Sequence, residues 1–167
     1  MAAKMSAGLL LNRVRGPGSR VEVLLVHPGG PFWARRDAGV WSIPKGEYGE
    51  GEEPLTVARR EFEEELGLPV PEGDIRPLGV VRQPSGKVVT AFTLRADLDL
   101  TGFHSNSFAM EWPRASGNLQ TFPEVDKARW FDLTEARRRL LKGQVAFLDI
   151  LTNGLSQGGE RAPETGQ

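Results

Sequence analysis

Eight glutamates and two arginines fall between Gly46 and Glu65, so this short stretch carries −6 while the rest of the chain carries +5. Carboxylates at that density repel one another unless the fold separates them or something cationic sits among them. The apolar residues between them dictate the local fold. Leu55, Ala58, Phe62 and Leu66 recur at intervals of three and four, the spacing of one helix face. Pro54 suits a first turn and Gly67 a stop ahead of Pro69, so a helix is predicted from Pro54 to Leu66. On that helix Glu61, Glu64 and Glu65 project together, beside the apolar stripe and not on it. Arg59 and Arg60 offset part of the charge. A hard divalent cation offsets it better, because Mg²⁺ prefers carboxylate oxygens and substrate phosphates. Taken alone, the pattern also fits a solvated acidic helix face.

The remainder of the chain reads as a mixture of strands and helices. Strands are expected at Leu9–Val14, Val21–Val26, Ile75–Arg82 and Lys87–Ala96, with a short one at Ala128–Phe131. Leu133–Leu141 and Val145–Leu151 read as helical, with Arg137, Arg138 and Arg139 on a solvated face. Between Pro28 and Pro44 runs a loop rich in aromatic and cationic groups, including Phe32, Trp33, Arg35 and Arg36. Residues 101–123, with Trp112 embedded, read as a long loop or insertion. Trp41 and Trp130 lie in apolar strand contexts and are assigned to the core, and His27 and His104 to structural or exposed roles. One domain is expected over 1–154, followed by a Gly/Glu/Pro-rich tail, 155–167, expected to be disordered.

Composition removes several function classes. A net charge of −1 argues against a nucleic-acid coat or a polybasic membrane binder, and no nucleic-acid motif is present. With no cysteine, thiolate metal sites and cysteine nucleophiles are excluded, and two histidines alone cannot build a histidine-rich zinc site. No apolar run is long enough for a signal or a membrane span, so a cytoplasmic protein is expected.

Read in full, Gly46, Glu52, Arg60-Glu61-Phe62, Glu64-Glu65 and Gly67-Leu68 match the Nudix hydrolase signature at every defined position. Its seven fixed identities and two apolar positions recur by chance about once in ten million chains of this length. The chain therefore resembles that family. The resemblance implies an α/β/α sandwich around a mixed β-sheet, which the strand and helix order accommodates. It implies Glu61, Glu64 and Glu65 as ligands of Mg²⁺, with Mn²⁺ as a substitute and the Gly46 carbonyl beside them. Glu52 and Arg60 become a supporting pair that holds the loop onto the helix. Glu64 or Glu65 would take the proton from the attacking water. Glu124, a few residues before the Trp130 strand, occupies the place of the later-loop glutamate that serves as base in some members.

Family members cleave a nucleoside diphosphate linked to another group. A polyphosphate approaches an acidic cluster only when cations bridge the two. The expected activity is thus a Mg²⁺-dependent pyrophosphohydrolase acting on a small-molecule phosphoanhydride, such as a dinucleoside polyphosphate or a nucleoside triphosphate. Pro44-Lys45-Gly46 resembles the lead-in of dinucleoside polyphosphate and diphosphoinositol polyphosphate hydrolases, with Lys45 as a phosphate contact. The 101–123 segment, with Glu111, Trp112 and Arg114, departs from a compact diadenosine tetraphosphate hydrolase. A base would stack on Trp33, Phe32 or Trp112, and Arg35 or Arg114 would neutralise further phosphates. Alternatives are hydrolysis of diphosphoinositol polyphosphates or of RNA 5′-pyrophosphates, and a nucleotide-binding sensor without activity. Sensors lose box glutamates, whereas this chain retains them. A monomer or a homodimer is expected.

Overall fold

The computed structural model describes residues 2–158. Strands β1 (Met5–Arg15) and β2 (Arg20–Pro28) are followed by β3 (Lys45–Tyr48) and helix α1 (Pro54–Leu66). Then come β4 (Arg76–Arg82), β5 (Val88–Arg95), β6 (Ser107–Glu111), β7 (Leu119–Pro123) and β8 (Val125–Asp132). Helices α2 (Leu133–Arg139) and α3 (Ala146–Gly158) end the described chain. The mixed main sheet runs β4-β5-β1-β2-β8, with β3 paired to β1, while β6 and β7 form a separate two-stranded sheet.

β1 is central because it is apolar on both faces. Leu9 and Leu11 join a core cluster with Val57, Ala58, Phe62 and Leu66 of α1; Leu10 points the other way, to Ala136 of α2 and to Phe147 and Leu148 of α3. The period of two thus assigns neighbouring leucines to opposite layers, and the α/β/α sandwich follows. On α1 the fully buried face includes Val57, while Leu55 is half-buried.

The other edge of β1 forks. Its first half pairs with β3 (Met5↔Tyr48 to Gly8↔Lys45) and its second half with β2 (Asn12↔Val23 to Arg15↔Arg20). At the fork the Leu9 N–H donates to the Pro44 carbonyl at 3.1 Å. Gly8 is needed there, since a Cβ would lie 2.6 Å from that carbonyl oxygen. The fork places Lys45 and Gly46 against α1.

Several elements differ from expectation. The segment 101–123 is no long loop but carries the β6–β7 hairpin, five cross-strand pairs from Ser107↔Pro123 to Glu111↔Leu119. The short strand at 128–131 is the middle of an eight-residue β8 that completes the sheet against β2. β3 was not anticipated: Lys-Gly-Glu-Tyr has no strand periodicity and is held in place by β1. α3 runs to Gly158, past the boundary expected at 154, and 159–167 lie outside the described residues. Arg139 departs from the solvated row: it is paired with Asp37 and Glu135 and lies over Phe131. Trp41 is fully buried, donating from its indole to Asp37 at 2.8 Å. Trp130 is half-buried beneath Arg13, 4.0 Å from its ring centre. His27 is structural, its ring nitrogens 2.7 Å from Asp126 and 2.6 Å from the Arg36 carbonyl, whereas His104 is exposed.

Candidate active site

α1 begins without a side-chain cap, on Pro54, and ends at Gly67, whose left-handed backbone (φ 65°) turns the chain away. No side chain fits at Gly67, because a Cβ would overlap the His104 carbonyl. Phe62 and Leu66 lock the helix to the sheet, and their burial fixes which way Glu61, Glu64 and Glu65 face.

Gly46 of β3 stands against the Glu61 carboxylate so closely that any Cβ there would overlap it. One residue earlier, the Lys45 N–H donates to Glu65 Oε2 at 3.3 Å. Glu52 bridges the loop between β3 and α1: it accepts from the Gly49 N–H at 2.9 Å and from Arg60 at 3.1 Å. Arg60 also lies 3.8 Å from Glu61. The guanidinium thus ties the loop to the helix turn that bears the acids.

A cleft of about 220 Å³ opens beside them, lined by Lys45, Glu65, Glu124, Trp33, Ser42 and Ile43 among others. Burial pushes the Glu65 carboxyl up to about 8, with Glu61 and Glu124 adding to the rise and Lys45 opposing it. Burial, and then the charge of Glu64, also raises Glu61. Lys45 is held below the ordinary lysine range, first by burial and then by the nearby charge of Lys87.

The donors fit a divalent cation by chemistry: carboxylate oxygens, with the Gly46 backbone pressed against one of them. As the side chains stand, no three acidic or imidazole groups among the described residues close around one point. Glu61, Glu65, Lys45, Gly46 and Glu124 are brought together, and Glu64 adds its charge to Glu61. Trp33 forms a cleft wall, 36% exposed. Arg35 is exposed and is not among the cleft-lining residues; it is Arg36 that stacks on Trp33, at 5.8 Å. Phe32 and Trp112 meet each other edge-on, with ring centres 5.3 Å apart, and Arg114 lies over Phe32.

Two further groups belong to the surroundings. Gln144, fully buried, accepts from the Ile43 N–H and donates to the Ser42 hydroxyl, both at 3.0 Å, so it fixes the cleft wall ahead of Lys45. Lys87 pairs with Glu47 at 3.0 Å and lies near Lys45. Neither carries a local sequence signal, since each reaches the site from a segment distant in the chain.

A model of the NUDIX domain matches residues 4–150. An octanoyltransferase of Myxococcus xanthus is 32% identical over 129 residues, 76% of this chain but 31% of that protein. The chain thus spans about a third of the length of that curated relative. Among solved structures, a MutT/Nudix family protein from Listeria innocua superposes with a TM-score of 0.64 at 19% identity, covering 95% of this chain and 98% of that one. The NUDIX domain of Shewanella oneidensis NrtR, complexed with ADP ribose, gives 0.61 at 18% identity, over 93% and 90% of the two chains. A C. elegans Ap4A hydrolase gives 0.58 at 19% identity, over 91% and 98%. With that model spanning nearly the whole described length and the Arg60-Glu61 and Glu64-Glu65 pairs of the signature set on α1, the chain belongs to the Nudix family.

Proposed function

We propose that this protein is a Mg²⁺-dependent pyrophosphohydrolase that cleaves a phosphoanhydride bond in a nucleoside diphosphate-linked compound, a dinucleoside polyphosphate or a nucleoside triphosphate. The observation that carries this reading is the apposition of the acidic face of α1 with Lys45 and Glu124 around one aromatic-walled cleft. Glu61, Glu64 and Glu65 would hold the cation, with the Gly46 backbone beside them. When bound, a divalent cation supplies charge neutralisation for the phosphates and a more acidic water. Lys45 offers a point charge to a phosphate oxygen, and its partial burial strengthens that contact. Glu65 or Glu124 faces the same space and would accept the proton of the attacking water. Trp33 offers a flat face to a base.

A second reading has its own support. Lys4, Arg82 and Lys87 border one open depression, and Lys87 is close to Lys45. Such a cationic rim suits a substrate bearing many phosphates, such as a diphosphoinositol polyphosphate.

A panel of nucleoside polyphosphates, sugar nucleotides and diphosphoinositol phosphates, assayed with Mg²⁺ or Mn²⁺, separates these readings. Product masses identify the phosphorus attacked. Glu64→Gln and Glu65→Gln are expected to abolish phosphate release while circular dichroism stays native. Unchanged turnover in both variants would overturn the assignment.

A further inference from the structure

β6 and β7 pair with each other and not with the main sheet, and no residue of either strand lines the cleft. Their contacts nevertheless converge on the cleft's surroundings. At the hairpin base, the Asn106 N–H donates to the Glu64 carbonyl at 2.9 Å and the Glu124 N–H to the Asn106 carbonyl at 2.7 Å. The Gly29 N–H then donates to the Glu124 carbonyl at 2.9 Å. Three successive backbone hydrogen bonds thus link the acidic turn of α1, the hairpin base and the segment 29–36. The buried Ser105 hydroxyl secures the junction, donating to the Asn106 carbonyl at 2.9 Å and accepting from the Val125 N–H at 3.0 Å.

The hairpin also packs along segment 29–36. A Cβ at Gly29 would overlap the Pro123 carbonyl, and one at Gly30 would lie 3.1 Å from the Phe108 ring. Close approach therefore requires glycine at 29, and a left-handed backbone (φ 96°) favours it at 30. Farther out, Trp112 meets Phe32 edge-on and Arg114 covers it at 5.1 Å. Within the segment the backbone makes turn bonds from Trp33 to Gly30 (3.4 Å) and from Arg36 to Trp33 (2.9 Å), and His27 holds the Arg36 carbonyl. Between its two ends the segment rests on the hairpin. Phe32 turns toward the hairpin, while the next residue, Trp33, forms the cleft wall facing Lys45, Glu65 and Glu124.

We propose that the β6–β7 hairpin is a positioning arm that holds Trp33 at stacking distance in the cleft, so that Phe108 and Trp112 set the preference for substrates carrying an aromatic base. This rests on the hydrolase reading above. Stacking is steep in distance: a gap of about 1 Å forfeits up to half of the dispersion attraction, so a loop held loosely gives up a comparable share of the discrimination that Trp33 provides.

The test uses Phe108→Ala, Trp112→Ala and the conservative Trp112→Phe in the full chain. With a nucleoside polyphosphate and Mg²⁺, both alanine variants are expected to raise KM about tenfold and to keep kcat within about twofold. The inhibition constant of inorganic tripolyphosphate, which has no base, stays at the wild-type value, and Trp112→Phe restores most of the affinity. Amide hydrogen exchange of 29–36 accelerates while that of α1 does not change. Unchanged nucleotide KM, an equal loss of tripolyphosphate affinity, or unaltered exchange in 29–36 would each overturn the proposal. If wild-type protein hydrolyses nothing in the panel, the hydrolase reading fails by itself. The arm is then judged by exchange and by calorimetric affinity for a nucleoside diphosphate, where equal binding by wild type and Trp112→Ala would reject it.

Discussion

Glu65 lies where burial opposes charge. Its carboxyl titrates at about 8, against an ordinary 4.5, so the folded protein binds that proton more tightly than the unfolded chain. In metal-free protein the associated stability is complete below about pH 4.5 and is lost as pH rises through about 8. Denaturation in urea with a chelator is expected to show stability falling between pH 5 and pH 8, by at most about 1.4 kcal/mol per pH unit from this group. Glu65→Gln carries no titrating proton there and should reduce the slope, leaving the part that the raised Glu61 contributes. A wild-type slope that survives in Glu65→Gln would place the titration elsewhere. Asp37, held low by the Trp41 indole and Arg139, and Asp97, held low by Arg13, titrate beneath this window and leave it unaffected. Which glutamates share a face was legible in the sequence, because helical spacing is local. That Glu65 is more enclosed than its neighbours was not, because the enclosing groups come from Lys45 and from residue 124.

At the scale of elements, α1 was readable from its two ends: Pro54, Gly67 and the apolar stripe between them are near neighbours in the chain. β3 and the β6–β7 hairpin were not. The four residues of β3 become a strand through pairing with Met5–Gly8, some forty positions away. The hairpin strands are only five residues each and bury little, so their sequence resembles a loop. The connection between α2 and α3 has a structural duty through Gln144, which satisfies the buried Ile43 N–H. Gln144→Leu keeps the volume but leaves that donor unpaired. It should cost about 1–3 kcal/mol in urea denaturation, and a loss under 0.5 kcal/mol, about the noise of such measurements, would show that water replaces the amide.

For the molecule as a whole, the segregated charge becomes a statement about ligand linkage. A cation that binds the folded acidic face and not the unfolded chain raises stability by about 2.7 kcal/mol at a hundred times its dissociation constant. For a chain of this size that is a rise of about 5–10 °C in melting temperature. Mg²⁺ is expected to give this rise in wild type and none in a Glu61→Gln/Glu65→Gln double variant, read by thermal denaturation with and without chelator. Equal shifts in both proteins would locate the cation outside α1. The sequence by itself determined the acidic helix and the family motif, because these depend on spacing within a few turns of chain, and it reached the sandwich class only through the family that the motif resembles. Tertiary structure alone decided that Lys45, Glu124 and Trp33 share one cleft with that helix, and that a hairpin braces its wall. Those relations are made by sheet pairing and loop contact between residues distant in sequence, and no local pattern encodes them.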